Sequence, residues 1–267
     1  MLSILVLAIN HVVTADRLSD LLWEGSPPPR AREILTSHAS RIRKLLSSSR
    51  DDNQRAVLLS RGGGYQIRGD ALSVDAHLFR SLLADATGTA ALDRRIRLLE
   101  RALGLWRGAP LADAASAALR QRLCSDLEEL RLTAVEDLLA ARLELEGGRQ
   151  VLSELVRWSR AHPSRERLVE LHMRTLHESG RTADALREYE RLRRHLAETL
   201  GVAPSHPLRL LHRQLLQEQL PQRDRSCGRG VTGLGVAPAR PDGRTASVRP
   251  AGADSSPHFR SCEPQRR

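Results

Sequence analysis

Between Asp75 and Gln219 the apolar residues recur at helical spacing, interrupted by short turn signals. These are Thr87-Gly88-Thr89, Arg107-Gly108-Ala109-Pro110, Gly147-Gly148-Arg149, His162-Pro163-Ser164, Gly180-Arg181 and Gly201-Val202-Ala203-Pro204. Glycine leaves the helix by adopting left-handed backbone, and proline lacks the donor that the next turn needs, so each signal ends one helix and frees the chain to start another. A segment cut up in this way predicts helices joined by tight turns and excludes an extended sheet. An amphipathic helix cannot bury its apolar face alone, so these helices must stack on one another.

The turns carry a period. Gly148-Arg149 and Gly180-Arg181 lie 32 residues apart, close to the roughly 34-residue tetratricopeptide repeat. Each precedes an apolar-periodic helix, Val151–Ser159 and Thr182–Leu200, and Ala183, Leu186, Tyr189 and Leu192 form one stripe of the second. Stacked pairs of this kind form a concave surface suited to a peptide, a partner helix or a second copy of the chain. A plain scaffold that holds the other half of the chain at a set spacing has the same pattern.

The first seventy residues read differently. Thr14 caps a helix whose first turn holds Asp16 and whose buried stripe is Leu18, Leu21 and Leu22. Glu24-Gly25-Ser26-Pro27-Pro28-Pro29 ends it, with Pro29 at the first position of a second helix, 29–46. That helix sorts into two faces. Ala31, Ile34, Leu35, His38, Ala39, Ile42, Leu45 and Leu46 lie on one side, and Arg32, Glu33, Thr36, Ser37, Ser40, Arg43 and Lys44 lie opposite, with Arg41 at the edge. Five cations against one acid give the helix a local excess of four positive charges. Arg and Lys reach phosphates or guanine edges, and Ser and Thr bond either, so this face suits a DNA major groove. Next, Ala56–Arg61, Gly62-Gly63-Gly64 and Tyr65–Arg68 read as a β-hairpin with Arg61 at its tip, Tyr65 just past the glycines and Arg68 at its base. The glycines have no Gly-Lys-Ser/Thr sequel and no following helix, so they form a flexible turn and not a phosphate loop. A hairpin directly after a basic helix is a wing.

These residues, namely Leu18 to Trp23, Pro27-Pro28, Ala31-Arg32, Leu35, Ser40 to Leu46 and Gly64-Tyr65, resemble the winged helix-turn-helix of the Streptomyces antibiotic regulatory protein family. Asp75-Ala76, Leu103 to Gly108, Leu111-Ala112-Asp113, Leu127 to Leu132, Ala161-His162-Pro163, Arg165 to Leu168, Ser179-Gly180-Arg181, Tyr189 and Leu200-Gly201-Val202 resemble the transcriptional activator domain that follows it there. The resemblance covers roughly residues 2 to 217. Residues 221–267 are rich in Gly, Pro, Ser and Arg with almost no large apolar side chains, so composition predicts a disordered basic tail there. The resemblance itself implies a mainly α fold, with a truncated winged helix-turn-helix (1–70) followed by an all-α, tetratricopeptide-like helical-repeat domain (75–219). It also implies an activator of a secondary-metabolite (antibiotic) gene cluster. Its partners would be double-stranded DNA, bound as direct repeats about one helical turn apart, and RNA polymerase, met through the loop that carries Trp23, Glu24, Ser26 and Arg30. The expected DNA-binding residues are Arg32, Thr36, Ser37, Ser40, Arg41, Arg43, Lys44, Arg61 and Tyr65, and the chain is expected to form a homodimer on DNA. The family has a small sheet before its first helix, whereas this chain starts inside that helix, so those strands are expected to be missing. Where the family has Tyr, Gln and Pro-Pro-Gly-Tyr, this chain has His38, Thr36 and Gly62-Gly63-Gly64-Tyr65, and the added glycine loosens the wing.

Charge and chemistry set the remaining bounds. The net charge of +10 is uneven: ten Lys/Arg against seven acids in 1–70, 23 against 21 in 71–220, and nine against four in 221–267. Met1 to Val13 is apolar but has no positive leader and no small-residue cleavage site, so it reads as a buried first helix. No segment has the roughly 20 apolar residues of a membrane span, and three unpaired cysteines fit a reducing cytoplasm. Asp126, Glu128 and Glu129 read as exposed helix charge near Arg131. His172 and His177 are badly placed to chelate a metal, and no nucleophile elbow, Walker or His-Glu-x-x-His motif occurs. No catalytic residue, metal or cofactor is expected, and the chain is not read as an enzyme. The rival reading is a protein-binding scaffold with a degenerate winged helix.

Overall fold

The computed structural model describes residues 1–48 and 56–219; the tail at 221–267, with Cys227 and Cys262, lies outside them. The chain opens with α1 (Leu2–Leu7), the two-residue β1 (Val13–Thr14), α2 (Ala15–Trp23) and α3 (Ala31–Ser47), followed by the hairpin β2 (Val57–Arg61) and β3 (Gly64–Arg68). The strands form one antiparallel sheet in the order β1-β3-β2.

Two sequence expectations change here. Met1 to Val13 is not one helix. α1 stops at Leu7, and Asn10 turns the chain at φ 64°, a left-handed conformation that asparagine tolerates. Asn10 then ties itself to the end of the wing: its N–H donates to Ile67 O at 2.7 Å, its Nδ2 donates to Gly69 O at 2.9 Å, and its Oδ1 accepts from Gly69 N at 3.1 Å. Val13 and Thr14 can therefore pair with Tyr65 and Gly64 as a third strand. Pro29 does not start α3 either. The N–H of Ala31 donates to Pro28 O at 3.0 Å, which closes a turn, and Arg30 stands at the N-cap.

Thr14 has two roles, ending β1 and capping α2 by accepting from Arg17 N at 3.2 Å. The hairpin turns on Gly62 and Gly63 at φ 54° and 73°, the both-positive geometry of a two-residue turn that matches strand twist. Gly64 is not part of a loose turn. A Cβ there would sit 2.2 Å from Val13 O, so β1 can approach β3 only because Gly64 is bare. Leu5, Leu18, Leu21, Leu35, Ala39, Ile42, Leu58 and Ile67 form the core beneath this sheet.

A 3-10 turn (Ala71–Ser73) leads into α4 (Asp75–Thr87), α5 (Leu92–Gly104), α6 (Ala117–Glu146), α7 (Gly148–Ala161), α8 (Glu166–Glu178), α9 (Thr182–Leu200) and α10 (His206–Gln219). Each packs on its neighbour in sequence. The 30-residue α6 has no single apolar stripe because it faces different partners along its length. Leu119 and Leu123 lie against the winged-helix core, Leu127, Ala134 and Leu138 against α4 and α5, and Val135 and Leu139 against α7 and α8. The described residues, 1–48 and 56–219, cluster as one compact unit.

In α9 the buried residues are Ala185, Tyr189, Leu192 and Leu196. Ala183, two residues out of phase with this stripe, is exposed, and Leu186 is half-buried at its edge. Arginines staple the stack: Arg142 holds Glu100 and Glu154, and Arg165 holds Glu129 at 2.6 Å and Glu136 at 3.0 Å. Glu129 thus pairs with Arg165 and not with Arg131, which instead lies over the rings of Trp106 and Trp158, 4.8 and 5.8 Å from their centroids. Among the described residues there is no cluster of three or more metal-ligating groups, and no helix is long and apolar enough to cross a membrane.

His172, 3% exposed, faces Ser159 Oγ at 3.4 Å and the carboxylate of Glu188 at 3.8 Å. Burial, followed by the charges of Arg191, Arg160 and Arg181 and against the opposing pull of Asp184, pushes its pKa down to about 4. The folded state holds it neutral, while the unfolded chain takes up a proton near pH 6.5. Its contribution is therefore complete above pH 6.5 and falls away as pH drops toward 4.

Two outcomes are expected. Gly64→Ala should lower unfolding free energy by about 3 kcal/mol, measured by urea titration, whereas Gly62→Asn, at a turn position that tolerates asparagine, should cost little. Between pH 6.5 and 4 the wild type should lose up to about 3 kcal/mol more stability than His172→Gln, read from the same titrations across pH; equal losses would contradict the assignment.

Candidate nucleic-acid interface

α3 is held by three side chains on one side, Leu35, Ala39 and Ile42, all buried. Ala31, Ile34, His38 and Leu46 are half-buried around them, while Leu45 is 64% exposed. The apolar face is thus narrower than the sequence suggests. Leu45 stands at the flank of this stripe, while Leu46 one residue on still packs against the core.

The opposite side carries Arg32, Thr36, Ser37, Ser40, Arg41, Arg43 and Lys44, all exposed. The structure gathers most of these candidates on one outward surface, with one qualification for the hydroxyls and one for the cations. Thr36 Oγ1 donates to Arg32 O at 2.9 Å and Ser40 Oγ to Thr36 O at 3.2 Å, so both hydroxyls bond back into the helix in the absence of a ligand. Arg32 is 3.7 Å from Asp16 with both side chains more than 80% exposed, a surface pair worth little and easily exchanged for another anion. Arg43 is different. Its Nε donates to Leu58 O at 3.2 Å and its Nη2 to Ser60 Oγ at 2.7 Å. The sequence groups it with the outward cations, but in the fold it reaches sideways to β2.

The wing stands beside α3. Arg61 is exposed just before the turn, and Tyr65 is half-buried with its hydroxyl 3.4 Å from Thr36 Oγ1. Between wing and helix is a notch of about 450 Å³ lined by Arg32, Thr36, Ser60, Arg61, the three glycines and Tyr65. Arginine N–H groups and hydroxyls dominate its polar lining, so it suits an anion.

The four loop candidates separate. Ser26 and Arg30 are exposed, with Arg30 4.0 Å from Glu33. Trp23 packs on the winged-helix core, and Glu24, at φ 51°, accepts from Ser116 Oγ at 3.4 Å. Ser116 also caps α6 through Leu119 N. The sequence reading missed this junction, where Arg122 donates to Asp20 O at 3.2 Å and His77 Nε2 lies 3.0 Å from Leu7 O. Its only sequence signal is that Leu119 and Leu123 are apolar at the start of a helix whose stripe changes face.

Residues 1–67 match the family described as transcriptional regulatory protein, C terminal, and residues 74–216 match the bacterial transcriptional activator domain. The chain is 38% identical over 221 residues to Regulatory protein AfsR of Streptomyces griseus, an alignment covering 81% of this chain and 22% of that protein. It is 36% identical over 218 residues to Transcriptional regulator RedD of Streptomyces coelicolor, covering 80% of this chain and 62% of RedD. It therefore spans less than two thirds of either relative. The solved structure of Mycobacterium tuberculosis EmbR in complex with a low affinity phosphopeptide superposes with a TM-score of 0.75 at 30% identity, over 82% of this chain and 59% of that one.

The phase of α3 gives a direct check. Leu45→Lys should change unfolding free energy by no more than about 0.5 kcal/mol, and Leu35→Ala should cost about 2–5 kcal/mol; comparable losses in the two variants would mean that the buried side has been misplaced.

Proposed function

The chain belongs to the Streptomyces antibiotic regulatory protein family of transcriptional regulators, and we propose that it binds duplex DNA by laying α3 in the major groove with the wing on the adjacent backbone. The observation that carries this reading is one surface: Arg32, Thr36, Ser37, Ser40, Arg41 and Lys44 exposed on a helix whose back is buried, beside a hairpin with Arg61 at its tip. The cations reach phosphates or guanine edges. The hydroxyls of Thr36 and Ser40, now turned on their own backbone, swing to phosphate or base acceptors when DNA arrives. Tyr65 contributes its hydroxyl from the wing side of the notch. This function calls for no cofactor and no catalytic residue.

Membership of the family supports the remaining parts of this reading. The chain activates a secondary-metabolite gene cluster in the cytoplasm and sits as a homodimer on direct repeats near promoters. It reaches RNA polymerase through the α2–α3 loop, most directly at Ser26 and Arg30, since Trp23 packs on the winged-helix core and the exposed Glu24 is engaged by Ser116. The winged helix through residue 70 and the helices from residue 75 act as DNA-binding and regulatory domains.

Anisotropy titrations against promoter fragments beside its own gene test the reading. The wild type should prefer one fragment over random duplex, and the slope of log K against log salt should shrink by about 0.9 in each of Arg41→Ala and Lys44→Ala. Binding no tighter than to random DNA, or slopes unmoved by both variants, would favour a protein-binding scaffold.

A further inference from the structure

We propose that Arg43 is a positioning residue: it braces the wing against α3 and so sets where the tip arginine meets DNA, instead of reading the groove itself. The proposal rests on the DNA-binding reading above and adds a division of labour among cations that look equivalent in sequence.

The argument starts from the sheet. The two-residue turn makes Arg61 and Gly64 the last pair of the hairpin, and the register runs back through Ser60–Tyr65, Leu59–Gln66 and Leu58–Ile67. In an antiparallel hairpin alternate pairs exchange backbone hydrogen bonds. The closing pair exchanges them, so Leu58 and Ser60 aim their backbone groups away from β3. β2 is also the edge of the sheet. The carbonyl of Leu58 is thus an edge acceptor with no strand to receive from, and the guanidinium of Arg43 fills that vacancy at 3.2 Å while also holding the Ser60 hydroxyl at 2.7 Å. Two bonds from one rigid plane fix both position and angle. Among the described residues, the other direct polar tie between α3 and the wing is the 3.4 Å approach of Tyr65 to Thr36. One edge of the guanidinium is occupied by the wing, although Arg43 is exposed like Arg41 and Lys44 on the same helix. Arg61 lies one residue beyond Ser60, so a wing released at Ser60 carries its tip arginine with it.

Lysine separates bracing from charge. Arg43→Lys keeps the cation but has no planar fork, so it can serve a phosphate and cannot hold both Leu58 O and Ser60 Oγ. In the free protein, Arg43→Lys and Arg43→Ala should both speed amide exchange across β2 and β3 by roughly tenfold, the loss of a charge-assisted hydrogen bond, with Ser60→Ala moving the same way to a smaller degree. On the preferred DNA fragment, hydroxyl-radical protection on the wing side should fade in Arg43→Lys while major-groove protection persists, and adding Arg61→Ala to either Arg43 variant should cost little more. If Arg43→Lys keeps wild-type exchange and footprint, or if Arg43 and Arg61 losses are additive, Arg43 is a phosphate contact and the brace is wrong. The exchange measurement needs no DNA, so a wild type that fails to bind any fragment overturns the DNA reading and still leaves the brace to be decided.

Discussion

The burial of Leu35, Ala39 and Ile42 is the constraint from which the rest of the interface follows. α3 has no side-chain cap at its N-terminus, where Arg30 stands, and a helix of its length is marginal in water without tertiary support. Its conformation depends on removing these three side chains from solvent, with Leu and Ile each worth about 1.5–3 kcal/mol when fully buried. The core that receives them comes from α1, α2 and both wing strands. Because that core fixes the helix rotation to within one residue of phase, it also fixes which side chains point outward. Shifting the buried stripe by a single position would move Arg32, Thr36 and Ser40 off the outward surface together.

The same core is not closed by the winged helix alone. Leu119 and Leu123, at the start of α6, pack on it, Arg122 reaches the carbonyl of Asp20, and Ser116 meets Glu24 while capping α6. The helical stack therefore touches α2 and the start of the α2–α3 loop, within a turn or two of the surface assigned to DNA. Farther along, Arg142 and Arg165 each bridge two carboxylates from different stretches of the stack. These arginines are partly shielded and hold two acids each, which makes them firmer than the single-pair contacts scattered over the surface. A change in packing at the start of α6 has a short physical route to the DNA-facing half.

Much of this was readable in the chain. Thr14 is a cap in sequence and in space because its hydroxyl needs only a free N–H three residues on. The hairpin is legible because paired glycines between apolar runs can take the two positive φ angles that a two-residue turn demands. The turn signals of the helical half each end a helix, as proline and glycine require. Other features were hidden for definite reasons. β1 is two residues long, too short to show alternation, and exists only because Gly64 lets it come close. Ala183 looked buried and is not, since a short apolar residue near a helix start carries little phase information. Leu45 looked buried because it is apolar at helical spacing, yet it stands at the flank of a buried stripe narrower than the apolar run.

Local sequence determined what depends on neighbours along the chain: caps, turns, helix extents, and the sign of charge on each face. The family resemblance, carried by residues spread over most of the chain, was already present at that level. Tertiary structure alone decided which of several similar residues does what. Arg43 and Lys44 share the polar face of a helical wheel with Arg41 at its edge, and among the described residues Arg43 is the one of the three that donates to an edge carbonyl of the wing. Trp23 and Glu24 share a loop with Ser26 and Arg30, yet Trp23 packs on the winged-helix core and the exposed Glu24 accepts from Ser116 at the start of the helical stack. Periodicity records the angle of a side chain about its own helix, and it holds no record of which distant backbone group waits at that angle.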